Sequence, residues 1–198
     1  MFFNTVKPKI ISIYIDENLE DLFIWWLVLN NPASLQQIIY NIQQKCNLYD
    51  EIKFRTISKN RFELYKNIFD VMKWYNGYSF YYKKYESKIK HSDYINFVND
   101  VIKDNYCKWY FCNVFIDFFT TKKWEKFELD MTKTNKQIIF SLRENSKSNL
   151  LLQVTDLLLW WVVSSQKNIE SELKNLIKKI FLSYLPFFKI KKIPTTPF

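Results

Sequence analysis

The sequence has 198 residues, a formal net charge of +9 and a single glycine, Gly77. This length suits one domain with its own core and is too short for two full domains, and one glycine excludes the Gly-rich loops that cradle phosphates. The charge favours an anionic partner, either nucleic acid or a membrane surface, although an AT-rich coding sequence also produces abundant lysine.

The cysteines and the histidine limit the remaining chemistry. Cys46, Cys107 and Cys112 are odd in number and lack the spacing of a disulfide framework, and the N-terminus has no secretory signal pattern. We therefore expect a cytoplasmic protein with reduced, buried thiols. Because His91 is the only histidine, the chain offers few ligands for a zinc site.

The first quarter of the chain predicts two strands and a helix. Lys9 to Asp16 is rich in β-branched and aromatic residues and ends in an acid, which indicates a strand. Leu22 to Leu29 is continuously apolar, too short for a membrane helix, and typical of a central strand buried on both faces. Ser34 is expected to cap a helix that extends to about Cys46.

The rest of the chain alternates between strands and helices. The predicted strands are Glu51–Thr56, Tyr78–Tyr82, Lys108–Asp117 and Ile138–Leu142, and the predicted helices are Arg61–Tyr75, Ser92–Tyr106, Trp124–Met131, Asn149–Ser164 (capped by Ser146 or Ser148) and Ile169–Tyr184. This alternation predicts an α/β fold with a mixed central sheet flanked by helices. We expect one domain over residues 1–165. Residues 166–198 would form an extra C-terminal helix and a basic tail, which frays or docks loosely on that domain.

One aspartate lies in the most apolar part of the sequence. Asp156 belongs to the predicted helix run from Leu150 to Val163, where its helical neighbours carry no positive charge. An isolated buried carboxylate is costly unless it is protonated, paired or bound to a cation. Three interpretations remain open for Asp156: a metal ligand, a carboxylate that accepts backbone hydrogen bonds, or one half of a buried ion pair.

Two further aspartates, Asp16 and Asp117, stand at the ends of predicted strands. Taken singly, such a residue is more often part of a turn or a cap, but sites in α/β layers also form at strand ends. Carboxylates that converge on one point coexist as anions chiefly by sharing Mg²⁺ or Mn²⁺, which prefer oxygen ligands. Together the three aspartates predict a two-metal site for phosphoryl chemistry, which requires no histidine.

Four short segments resemble the domain of unknown function 3800 family, which is regarded as ribonuclease H-like. They are Ile15-Asp16-Glu17, Glu51-Ile52-Lys53, Ile116-Asp117 and the helix segment Leu152 to Leu157. Family members open with an apolar strand that leads into Asp-Glu-Ser-Gly and finish with a helix that reads roughly Leu-Gln-x-Ala-Asp-Leu. The similarity of order and spacing extends over residues 9 to 165. The chain departs from the pattern at Asn18-Leu19 and at Thr155.

The resemblance implies a ribonuclease H-like fold with a catalytic metal site. Carried over by position, Asp16 would bridge two Mg²⁺ or Mn²⁺ ions, with Glu51, Asp117 and Asp156 as further ligands and Glu17 as an additional candidate. Lys53 would neutralise this cluster or contact a phosphate. Other basic residues lie near the segments that border the site and are candidates for nucleic-acid binding: Arg55, Lys59, Arg61, Lys122, Lys123 and Lys126.

The sequence leaves three functions open. The first is a metal-dependent nuclease or related phosphoryl-transfer enzyme acting on DNA or RNA, of the kind encoded by mobile elements and phage defence systems. The second is a catalytically degenerate module of the same fold that binds nucleic acid or a protein, with Tyr78 to Lys84 as a base-stacking surface unless its aromatic residues are core. The third is association of the C-terminal helix with an anionic membrane or a partner protein.

Overall fold

The computed structural model describes residues 9–18, 23–53, 58–104, 110–117, 131–165 and 190–192, together with the single positions 175, 179, 182 and 183. Its strands are β1 (Lys9–Asn18), β2 (Phe23–Leu29), β3 (Tyr78–Lys84), β4 (Tyr110–Asp117), β5 (Ile138–Glu144) and β6 (Ile190–Lys192). Its helices are α1 (Pro32–Cys46), α2 (Phe62–Trp74), α3 (His91–Asp104) and α4 (Leu150–Ser165). The predicted α/β fold with a mixed sheet is confirmed.

The six strands form one sheet in the order β5-β4-β1-β2-β3-β6. The strand β2 is antiparallel to both of its neighbours, β1 and β3. In contrast, β4 is parallel to β1, β5 is parallel to β4, and β6 is parallel to β3. The C-terminal ends of β1, β3, β4, β5 and β6 therefore reach the same edge of the sheet, which we call the carboxyl edge.

Helices cover both faces of the sheet. On one face, Tyr14, Trp25 and Leu27 pack with apolar residues of α1, α2 and α4, and we call this the α4 face. On the other face, Ile13 and Trp26 pack with residues of α3. Because both faces are covered, β2 is buried along its whole length, as its continuous apolar sequence predicts.

Three parts of the chain differ from the sequence-based expectation. The cap of α1 is Asn31, whose side chain accepts the N–H of Ser34 at 3.2 Å, so the prediction of Ser34 as the cap was wrong. Residues Glu51–Lys53 of the predicted strand are irregular, and residues 54–57 lie outside the described chain. The tail, expected to dock loosely, contributes β6 to the sheet, because the edge of β3 supplies the hydrogen-bonding partner that a three-residue strand requires.

Other predictions lie partly or wholly outside the described residues. They are Arg55, Cys107, Lys122, Lys123 and Lys126, the helix Trp124–Met131 apart from Met131, and most of the helix Ile169–Tyr184 with its membrane or protein contacts. Cys46 and Cys112 are free thiols, and burial raises the pKa of Cys112 to about 12. Among the described helices, none has the length and apolarity needed to cross a membrane.

Candidate acidic site at the carboxyl edge

Two adjacent parallel strands bring Asp16 and Asp117 together. In the register of β1 and β4, Ile15 pairs with Ile116, so each aspartate follows its strand by one residue at the carboxyl edge. Tyr14 stacks on Phe115 with ring centroids 4.8 Å apart on the α4 face. Because side chains alternate along a strand, the residues two positions further on, Asp16 and Asp117, lie on this same face.

The third aspartate comes from α4. This helix packs on the α4 face through residues such as Leu152 and Leu159, and it brings Asp156 close enough to Asp16 for the two charges to interact. Asp156 is half-buried, whereas Asp16 is only 5% exposed. Asp156 is thus less deeply buried than its apolar sequence context suggests. The deeply buried carboxylate is Asp16, at the end of the strand.

Asp16 lies in a strongly acidic environment. Burial, and then the charges of Asp156, Glu17 and Asp117, raise the pKa of Asp16 well above its ordinary value. The backbone N–H of Glu17, which donates to Asp16 Oδ1 at 2.8 Å, opposes this shift only in part. Within the described residues, negative charge at this point is thus only partly compensated.

Glu51 joins the site through hydrogen bonds rather than through a strand. Its Oε1 accepts from Lys53 Nζ at 2.8 Å and from Ser146 Oγ at 3.4 Å. The backbone N–H of Ser146 donates to Asp117 Oδ1 at 3.0 Å, so Ser146 lies between Glu51 and Asp117. The hydrogen bond with Glu51, followed by the charges of Glu51, Asp156 and Asp117, raises the pKa of Lys53 despite its partial burial. Lys53 is therefore a cation that faces this cluster.

Gln153 joins three separate segments around these acids. Its side-chain oxygen accepts the N–H of Ile52 at 2.8 Å, and its amide nitrogen donates to the carbonyl oxygens of Ser146 and Lys147 at 2.9 and 3.2 Å. Gln153 is buried and lies one turn before Asp156 on α4. It fixes Glu51 and Ser146 relative to the helix that carries Asp156.

The start of α4 is held by Asn149. Its Oδ1 accepts the N–H groups of Leu151 and Leu152 at 3.0 and 3.1 Å, and its amide donates to Glu144 Oε2. The prediction that Ser146 or Ser148 caps this helix was wrong, because both residues belong to a preceding 3-10 turn. Asn149 is the residue directly before the helix and reaches its first free N–H groups.

Glu144 is an acid at the carboxyl edge that the sequence analysis missed. It ends β5 and pairs with Asp117 in the parallel register. Burial raises the pKa of Tyr14 to about 12, and the charge of Glu144 adds to this shift. The predicted strand stopped at Leu142, two residues short of it. The rule applied to Asp16 and Asp117, an acid at the end of an apolar strand, would have found Glu144 had the strand been extended.

Glu17 and Arg61 have partners outside the acidic cluster. Glu17 follows Asp16 and so points to the opposite face, where Tyr94 of α3 is hydrogen-bonded to it. Burial and then the charges of Glu17 and Asp16 raise the pKa of Tyr94. Arg61 is paired with Asp50 at 2.6 Å, and the side chain of Lys59 lies outside the described residues.

The proposed base-stacking strand is mainly core. Tyr78, Phe80 and Tyr81 are buried in β3, and only Tyr82 is half-buried. An aromatic side chain without an exposed face cannot stack on a base, so this surface does not serve that purpose. The core interpretation of the aromatic strand is the one that the burial supports.

Comparisons with known proteins leave the site to be judged on its own geometry. No family model, curated protein or solved structure matches the chain. Within the described residues, the side chains form no group of three or more His, Cys, Asp or Glu already arranged to hold a metal ion. Asp16, Asp117 and Asp156 are near enough to influence one another electrostatically.

Proposed function

We propose that this chain is a ribonuclease H-like enzyme that carries out metal-dependent phosphoryl transfer or hydrolysis on a DNA or RNA backbone. The observation that carries the proposal is the position of Asp16, buried at the carboxyl edge with Asp117 and Asp156 around it. Retaining a buried carboxylate among like charges is costly unless a cation compensates it. A divalent cation bound at a nuclease site would compensate this charge and so account for the buried carboxylate.

The sheet supports the ribonuclease H-like assignment. Its first three strands are antiparallel neighbours, and β4 and β5 continue in parallel on the other side of β1. A mixed central sheet flanked by helices is what the resemblance implies. The match of four short segments to the domain of unknown function 3800 family is a further part of the proposal.

The donor set fits Mg²⁺ or Mn²⁺, since both prefer carboxylate oxygens. Asp16 and Asp156 would hold the ions together with Asp117, and Glu51 is within reach of the same cluster through Ser146. A divalent cation supplies Lewis-acid stabilisation of the charge that develops on the phosphoryl oxygens. The protein contributes orientation: the N–H of Glu17 fixes Asp16, and the N–H of Ser146 fixes Asp117.

Lys53 has a separate role in this proposal. Its ammonium group is held by Glu51 at 2.8 Å and feels the charges of Asp156 and Asp117. A cation at this position partly neutralises the acids while the site is free of substrate. It is also available to a phosphate oxygen of a bound nucleic acid.

The test is a titration with Mn²⁺ or Mg²⁺ in which the melting temperature of the protein is measured at each metal concentration. Mn²⁺ or Mg²⁺ that binds the native state must raise the melting temperature. At a concentration one hundred times Kd, binding adds about 2.7 kcal/mol to the free energy of unfolding. We expect this rise in the wild type and its loss in Asp156→Asn. The matched control is Asp100→Asn, which removes a carboxylate from α3 on the opposite face. This control should respond as the wild type does.

The same proteins are then incubated with DNA and RNA strands and Mn²⁺. Cleavage by the wild type and the Asp100→Asn control, but not by Asp156→Asn, is the expected result. A wild type that shows neither a metal-dependent rise nor cleavage contradicts the enzyme. If that protein still binds nucleic acid, the alternative of a catalytically degenerate binding module holds, which the pairing of Glu51 with Lys53 within the acidic cluster also favours.

A further inference from the structure

The carboxyl edge is divided by charge. On one side, β1, β4 and β5 end in acids, namely Asp16-Glu17, Asp117 and Glu144. On the other side, β3 ends in Lys83-Lys84, a pair that we call the basic flank. Between Lys83 and Lys90 the chain has four lysines and only one acid, Glu86. Within the described residues, the start of β2 separates the two sides.

The strand register places these two sides in line across the sheet. Asp16 is paired with Trp25 of β2, Trp25 with Tyr82 of β3, and Tyr82 with Lys192 of β6. Lys84 pairs with Phe23, two residues beyond Trp25 toward the edge. It lies on the α4 face, as Asp16 does, because it is an even number of residues from Tyr82 and Phe80.

Aromatic rings contact the lysines at the end of β3. Lys84 Nζ lies 5.4 Å from the centroid of Phe23, and Lys83 Nζ lies 5.5 Å from that of Tyr85. Within the described residues, no carboxylate is within ion-pair distance of either ammonium group. Cation–π contacts orient a lysine while leaving its charge available to an anion.

We propose that the basic flank binds the sugar–phosphate backbone of a nucleic-acid strand whose reacting phosphate lies at the acidic site. This inference rests on the proposed function. The strand β3 is two positions from β1, or about 10 Å at the usual spacing of about 4.8 Å. A nucleic-acid strand covers this distance in about three nucleotides at an axial rise of about 3.4 Å. A neighbouring phosphate on the face of Asp16 thus meets Lys84, and Lys83 adds positive charge from the other face of the strand.

The arrangement favours a nucleic acid over an anionic membrane. A flat anionic surface laid against this edge would meet Asp117 and Glu144 as well as the lysines and would be repelled by them. A polyanion that crosses the edge as a single strand can place one phosphate at the acids, where cations compensate both, and the next phosphates on the basic flank. The acidic side and the basic flank, which follow one another along the carboxyl edge, match the path of such a strand.

The experiment measures binding without metal, so that cleavage cannot interfere. Fluorescently labelled single strands of one sequence, as DNA and as RNA, are titrated with protein in EDTA and followed by fluorescence anisotropy. Lys83→Glu with Lys84→Glu is compared with the wild type and with Lys133→Glu plus Lys136→Glu. The second pair carries the same change of charge but precedes β5, and so lies at the opposite edge of the sheet.

We expect the flank variant to lose about tenfold or more in affinity at about 0.1 M salt, and the control variant to stay within about twofold. The milder pair Lys83→Gln with Lys84→Gln keeps the side-chain stems and should lower the slope of log affinity against log salt by about 1 to 2, since each phosphate contact contributes about 0.7 to 0.9. Melting curves confirm that each variant is folded. The same loss for DNA and RNA identifies the backbone as the bound group.

An equal effect of both charge-reversal pairs, or no effect of either, overturns the inference. So does a flank variant that loses binding to phosphatidylserine vesicles while its binding to oligonucleotides is unchanged. A wild type that responds to Mn²⁺ but binds nucleic acid independently of the flank refutes the inference and leaves the proposed enzyme intact. Flank-dependent binding without any Mn²⁺ response supports the binding surface but overturns its link to a reacting phosphate, and with it the catalytic function.

Discussion

Asp16 is the residue whose charge state is most affected by its surroundings. It is nearly fully buried and faces three other carboxylates, and its pKa is raised. A carboxyl group with a raised folded pKa contributes stability that is complete below its unfolded pKa of about 3.9 and is lost as pH rises through the folded value. The metal-free protein is therefore weakened by Asp16 at neutral pH.

This gives a prediction for Asp16→Asn without metal. Asparagine can still accept the N–H of Glu17 but carries no charge, so we expect the variant to melt higher than the wild type at pH about 7, by about 2 to 4 °C for each kcal/mol of repulsion relieved. The difference should shrink as the pH is lowered toward about 4. Calorimetry across this range measures it. A variant that melts lower than the wild type at neutral pH contradicts the assignment.

At the scale of elements, the acidic site depends on how α4 is joined to the segments around it. Asp16 and Asp117 themselves stand at strand ends, whose positions the sheet fixes. Glu51 and Lys53 lie in an irregular segment and keep their place through Gln153, which links Ile52, Ser146 and Lys147. The hydrogen bonds of one buried side chain thus substitute for a regular element.

Replacing Gln153 with leucine tests this role. The change leaves the N–H of Ile52 and the carbonyl oxygens of Ser146 and Lys147 without this partner, and each buried group left unsatisfied costs about 1–3 kcal/mol. We expect urea denaturation to show a loss of about 2–5 kcal/mol in total. Mn²⁺ affinity should fall as well, because Glu51 is no longer held near Asp117.

The matched control is Thr155→Val on the same helix. Thr155 is buried, and its hydroxyl donates only to Leu151 one turn earlier, at 2.7 Å. The variant keeps the shape of the side chain and should cost no more than about 1 kcal/mol, with unchanged Mn²⁺ affinity. If both variants lose stability equally and neither affects metal binding, Gln153 only supports the fold.

Much of this element structure could be predicted from the sequence. The ends of β1 and β4 were found because their apolar, β-branched runs stop at acids, and α2 and α4 because their apolar residues have helical or continuous spacing. The caps were not found, since Asn31 and Ser34 are both good caps and the path of the chain decides between them. Local propensity likewise gives no sign of β6, which exists only because β3 offers an edge.

The site was predictable only for its strand and helix residues. Asp16, Asp117 and Asp156 follow from regular elements, and the structure brings their charges together. Glu51 and Lys53 were named from the family resemblance, and their actual contacts run through Ser146 and Gln153 rather than through a strand. Hydrogen bonds between segments about a hundred positions apart leave no local pattern in the sequence, so these contacts required the fold.

At the scale of the whole molecule, the α4 face is completed late in the sequence. The residues that pack there come from α1, α2 and the middle strands, but the helix that covers β1 is α4, near the end of the described domain. A chain that ends at Asn149 would expose Tyr14, Trp25 and Leu27. Large exposed apolar patches of this kind are not tolerated by a stable fold.

We therefore expect a chain truncated after Asn149 to lack a cooperative thermal transition by circular dichroism, while the full-length chain melts in one step. The control is a chain truncated before Ile190, which loses only β6 and the residues after it and should keep a cooperative, though lower, transition. A sharp transition in the shorter chain would show that the first three helices and five strands form a stable core without α4.

The separation along the chain between the contacts of Gln153 has a consequence for synthesis. The N–H of Ile52 donates to Gln153, which is 101 positions further along the chain, and β1 pairs with β4 over a similar separation. A ribosome adds about 5–20 residues per second, so these contacts close only several seconds after the first strand has emerged. Until then Asp16 is an ordinary, solvated aspartate. The acidic site is therefore assembled only after most of the chain has been synthesised.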